Sequence, residues 1–125
     1  GIILNMEYNF DNERPIYIQL VEMLKIEIIS GRIKSGEKLP SVRDFAMKAK
    51  VNPNTMQKAL SELERENLIY TERTNGKYVT DDNNLIENIR NEIASELVSN
   101  FVKAMNNIGI YGEEIKQYMI NEGNG

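Results

Sequence analysis

The chain has 125 residues, 41% of them hydrophobic and 27% charged, with a formal net charge of -4, which suits one globular domain or a small domain with an appendage. It has no Cys and no His, which excludes disulfides and thiolate metal sites and removes the commonest general base and metal ligand, so no catalytic residue, metal ligand or cofactor is assigned. The opening GIILNM is too short an apolar run for a signal peptide and no stretch is apolar enough to cross a membrane, so a cytoplasmic protein is expected.

The charge is unevenly divided. Residues 10–80 carry 12 Lys and Arg against 10 Asp and Glu, whereas residues 81–125 carry 3 against 8. A mildly basic front is thus joined to an acidic tail, and what matters for nucleic acid is the charge on one face rather than the total.

In chain order, Pro15 is suited to a first helical turn, and Ile16, Leu20, Met23, Leu24 and Ile28 recur at helical spacing until Gly31 stops the run. RIKSGEKLP reads as a loop. Ser41 followed by Asp44 predicts a capped helix of about two turns with Val42, Phe45, Ala46 and Ala49 on its apolar face. A third helix is expected from NPNT, with Asn52 as N-cap, Pro53 at the first helical position and Met56, Ala59, Leu60 and Leu63 turned inward. LIYTERTNGKYVT predicts two short strands around a turn at Asn75-Gly76. After DDNN, which can cap, an apolar stripe runs through Leu85, Ile89, Ile93, Leu97, Phe101, Met105 and Ile108. Gly109 and Gly112 bracket a turn before a last helix over 113–121. The expected fold is mainly α with a small β-hairpin, a winged helix-turn-helix over 10–80 followed by a two-helix dimerisation segment over 81–125.

In a helix-turn-helix the second helix of the pair enters the major groove and its N-terminal side chains reach base edges. Asn54 and Gln57 offer carboxamides that match adenine, Thr55 can approach a thymine methyl, and Lys58 is placed for guanine or phosphate. Arg43, in the preceding helix, can make a forked contact to phosphate or guanine, or pair with an acid such as Asp44 or Glu64. Ser41 and Asn52 flank these helices, and Asn75, Gly76 and Lys77 are expected at the wing tip. Each feature has an ordinary reading, since most surface helices are polar outside and most Asn-Gly hairpins are only hairpins. Their order along the chain is what favours DNA. Glu62, Glu64 and Glu66 read as a solvated face rather than an acid/base pair.

The tail stripe, widened by Ile86, Val98 and Val102, is too broad for a helix alone in water and calls for a second surface, either the first helix or the same helix of a second chain. A two-fold pair would present two reading heads about 34 Å apart.

The segment PIYIQLVEMLKIEIISGRIKSGEKLPSVRDFAMKAKVNPNTMQKALSELERENLIYTERTNGKYV, residues 15–79, resembles the DNA-binding domain of GntR-family bacterial transcription regulators, and the short helical tail resembles the YtrA-type subfamily. That resemblance implies a homodimer, generally a repressor, on an inverted-repeat operator of double-stranded DNA, often controlling transporter genes. It places the family's contacts on Arg43, Asn54, Thr55, Gln57 and Gly76, while Pro53 and Gln57 stand where other branches have Arg. A protein-docking or RNA-binding module is the alternative, and RNA is disfavoured because its major groove is too narrow for a helix. A small-molecule effector is left open, with Phe101, Tyr111 and Tyr118 as candidates to line its site.

Overall fold

A computed structural model of the chain describes residues 6–123; most of the apolar opening, GIILN, lies outside them. The described residues form five helices and one hairpin: α1 Ile16–Ile29, α2 Val42–Ala49, α3 Pro53–Arg65, β1 Ile69–Glu72, β2 Gly76–Val79, α4 Asn83–Asn107 and α5 Gly112–Gly123. They group into two compact units, the first ending at Asn88 and the second beginning at Ile89.

In the first unit the core is made by the expected stripes. Leu20, Leu24 and Ile28 of α1, Phe45, Ala46 and Ala49 of α2, and Met56, Ala59, Leu60 and Leu63 of α3 are all buried, as are Leu68, Ile69 and Val79 around the hairpin. Large side chains spaced three and four apart on each helix explain why three short helices suffice, since each buries one full face. Lys25 of α1 pairs with Glu66 after α3 at 2.7 Å, with both side chains more than two-thirds covered. Tyr70 and Tyr78 face each other across the strands and stack at 5.7 Å.

Three features depart from the expected layout. Gln19 is buried at 4% exposure; its amide donates to the carbonyls of Asp11 and Arg14 while its oxygen accepts from the Asp11 N–H. This clamp satisfies a polar group inside the core and fixes the chain ahead of α1. The loop before α2 makes an isolated β-bridge to β2: Lys38 bridges Tyr78, Leu39 N–H donates to Lys77 C=O at 2.8 Å, and Val79 N–H donates to Glu37 C=O at 2.9 Å. Buried Ile33 and Leu39 hold the rest of that loop against the core. The hairpin turn is not the two-residue Asn75-Gly76 type. Glu72 pairs with Gly76, so residues 73–75 form a three-residue loop, and Gly76, at φ +110°, opens β2 in a conformation that suits glycine.

In the second unit Met105 C=O accepts from Ile108 and Ile110 N–H and Gly109 adopts φ +83°, which ends α4. Ile115 is the one buried side chain of α5, and α4 has none.

Candidate nucleic-acid interface

The reading pair is built by two caps and a left-handed residue. Ser41 Oγ accepts from Asp44 N–H at 3.2 Å and starts α2. Lys50 ends it at φ 57°, ψ 47°, an unfavourable but tolerable conformation for a side chain other than glycine. Only residues 50–52 separate α2 from α3, and Asn52 Oδ1 accepts from Asn54 N–H at 2.7 Å to open α3. Ser41 and Asn52 are therefore engaged as helix caps, each satisfying a backbone donor that the first helical turn leaves unpaired.

Beyond the caps, Arg43, Asn54, Gln57 and Lys58 are exposed and Thr55 is half-buried, while Met56, Ala59 and Leu60 close the opposite face of α3. Arg43 pairs with neither Asp44 nor Glu64 and has no hydrogen bond or ion pair among the described residues, so its guanidinium fork is available. Gln57 Nε2 donates to Ser61 Oγ at 3.1 Å, which orients its carboxamide along the exposed face. The Lys58 ammonium lies 4.0 Å from the centre of the Tyr17 ring. That cation–π contact is worth on the order of 0.5–1 kcal/mol at an exposed site, so the side chain starts from a held position rather than from free solvent.

At the wing the placement differs from expectation. Asn75 lies in the tip loop with Arg73 and Thr74, whereas Gly76 and Lys77 belong to β2. Lys77 is drawn back: its ammonium donates to Thr71 Oγ1 at 2.9 Å and lies 4.0 Å from the Glu64 carboxylate, with only 16% of the side chain exposed. Arg73, exposed and without hydrogen bond or ion pair among the described residues, is the cation at the tip. A two-residue turn at Asn75-Gly76 leaves Arg73 in a strand, whereas a three-residue loop closed by the Glu72–Gly76 pair places it at the tip.

The three acids of α3 and its cap each have a structural partner. Glu62 pairs with Arg65 at 2.9 Å, Glu64 accepts from Thr71, and Glu66 holds Lys25. The hydrogen bond from Arg65, with its charge and that of Lys58, keeps the Glu62 carboxyl below the usual carboxylate range, so Glu62 is placed as an ion-pair partner. Among the described residues no group of His, Cys, Asp or Glu is arranged to hold a metal, and no helix is long and apolar enough to cross a membrane.

Of the tail stripe, Leu85, Ile89, Ile93 and Met105 are half-buried, while Leu97, Phe101 and Ile108 are exposed at 64%, 40% and 71%. Phe101, Met105, Ile108 and Ile110 with Tyr118, Met119 and Glu122 line an open groove of about 590 Å³ within the second unit.

A short helix pair with a three-residue turn, polar on the second helix's outer face and followed by a hairpin, defines a winged helix-turn-helix of the DNA-binding class. Residues 16–79 match the family described as bacterial regulatory proteins, gntR family. The uncharacterised HTH-type transcriptional regulator YhcF of Bacillus subtilis (strain 168) is 33% identical over 110 residues, 88% of this chain and 91% of that protein. The HTH-type transcriptional repressor YtrA of the same organism is 46% identical over 68 residues, 54% of this chain and 52% of that one. Among solved structures, a GntR family transcriptional regulator from Listeria monocytogenes matches with a TM-score of 0.83 at 44% identity, over 90% of this chain and 98% of that chain. The DNA-binding domain of AraR, solved in complex with operator ORX1, matches with a TM-score of 0.55 at 25% identity, over 60% of this chain and 96% of that one. The chain belongs to the GntR family, whose members are DNA-binding transcription regulators and not enzymes.

Proposed function

We propose that two copies of this chain join through the segment 81–125 and bind an inverted-repeat operator, acting in the cytoplasm as a repressor. The observation that carries the two-copy reading is the state of α4: a helix of 25 residues with no buried side chain, whose stripe leaves Leu97, Phe101 and Ile108 in water. Apolar residues at that spacing are normally covered. Arg43, Asn54, Thr55 and Gln57 read the major groove, Lys58 leaves Tyr17 for phosphate or guanine, and the wing approaches the minor groove through residues 73–76. Ser41 and Asn52 aim the two helices by capping them. The repressor reading is supported by the name of the relative YtrA, and the operator reading by the complex solved for AraR. Control of transporter genes extends the reading by family resemblance alone.

The test is selection of bound fragments from random double-stranded DNA, at moderate salt and at protein concentrations that resolve one bound chain from two. Enrichment of an inverted repeat occupied by two chains is expected. Enrichment of nothing above a salt-sensitive background would move the assignment to protein docking or to a regulator that needs an effector for specificity.

A further inference from the structure

The two faces of the wing differ in the charge they leave free. Side chains alternate along a strand, and β2 pairs Lys77 with Thr71 and Tyr78 with Tyr70. Lys77 therefore shares a face with Thr71, and its ammonium is held there by Thr71 and by Glu64 of α3. Gly76 and Tyr78 belong to the opposite face. Lys38 joins that face from a distant segment, because its antiparallel bridge sets it directly beside Tyr78 at the edge of β2.

Several observations single out Lys38. Its position is fixed through backbone bonds on both sides, from Leu39 N–H to Lys77 C=O and from Val79 N–H to Glu37 C=O. Its side chain is exposed, and its ammonium has no hydrogen bond or ion pair among the described residues. A Cβ added at Gly76 would lie 3.7 Å from Lys38 Cε, so the lysine stem runs over the glycine that closes the tip loop. Ser41, the cap that starts α2, follows closely in the chain, so one short segment links the wing to the reading pair.

We infer that Lys38 binds the DNA backbone, holding a phosphate between the groove that α3 reads and the groove that the wing approaches. A lysine suits that task, since a compact charge on a flexible stem needs neither a base edge nor a fixed fork. The inference rests on the operator reading and adds to it a contact from outside both the recognition helix and the hairpin. It also explains how the wing keeps a cation for DNA although Lys77 is engaged.

The test measures affinity against salt for the full chain on two duplexes of equal length, one carrying the enriched repeat and one unrelated. Lys38→Met keeps the stem and removes the charge. It should weaken binding to both duplexes alike and lower the salt slope by about one, so that its deficit against the unaltered chain shrinks roughly threefold between about 50 and 200 mM salt. Lys38→Arg should restore the slope, and Lys116→Met, which removes the same charge from the second unit, should leave it unchanged. An unchanged slope for Lys38→Met, or an equal fall for Lys116→Met, overturns the inference while the operator reading stands. A chain that binds neither duplex in a salt-sensitive way overturns both.

Discussion

Met56, Leu60 and Leu63 of α3 and Leu97, Phe101 and Ile108 of α4 are apolar residues at comparable helical spacing, yet the first three are at most 1% exposed and the last three are 40% to 71% exposed. In α3 the partner surfaces are encoded close by, in α1, α2 and the hairpin, so the stripe is satisfied within one chain. In α4 none of the stripe is fully buried. The difference teaches that periodicity reports a demand for burial, not where the burying surface comes from.

The comparison can be broken first at α3. Leu60→Ala removes a side chain with no exposed surface and should cost about 2–5 kcal/mol, a large part of the 5–15 kcal/mol typical of a domain; the loss should be the same at every chain concentration in chemical denaturation. Leu97→Glu addresses the other side. It should leave the first unit folded, abolish two-chain species in sedimentation, and weaken operator binding on the order of a hundredfold by removing the linkage of two half-sites. Unchanged affinity would show that the α4 stripe has no part in DNA binding.

The interface itself gives smaller effects. Arg43→Ala should cost about 1–3 kcal/mol of operator binding and relax preference at one position, whereas Arg73→Ala should weaken binding to all sequences alike and lower the salt slope by about one. Lys77→Ala should leave that slope nearly unchanged, because its ammonium is already held by Thr71 and Glu64. A fall of about one for Lys77→Ala would show that the contact opens on DNA.

The smallest effect is confined to alkaline pH. Burial, reinforced by the Glu27 carboxylate, pushes the Tyr8 hydroxyl up to about 12. A group whose folded pKa lies above its unfolded value near 10 stabilises the fold fully below pH 10 and loses that contribution as pH rises from 10 to 12. Tyr8→Phe should therefore flatten the fall in stability across that window. Between pH 6 and 8 stability should be nearly flat for both chains, since no His is present.

Most of the first unit was legible because its signals are local. Ser41, Asn52 and Pro53 mark helix starts by chemistry within four residues, and the helical stripes name their own buried faces. What escaped reading depends on neighbours distant in sequence. Nothing around Glu37–Leu39 signals a β-bridge, because its partners are Lys77, Tyr78 and Val79. The burial of Gln19 requires the loop that returns its hydrogen bonds. Lys58 and Lys77 look like free cations until Tyr17 and Glu64 are brought beside them. Composition does not reveal the α4–α5 groove either, since aromatic residues at helical spacing most often form core.

The bridge between the loop before α2 and β2 has a consequence for motion. Leu39 N–H and Val79 N–H are bonded across it, two residues before α2's N-cap and at the end of β2. Because opening either bond loosens the other, these two amides should exchange with solvent deuterium as one cooperative group. They should be slower than the tip amides of residues 73–75, so that the wing flexes at its end while its root stays in step with the start of the reading pair.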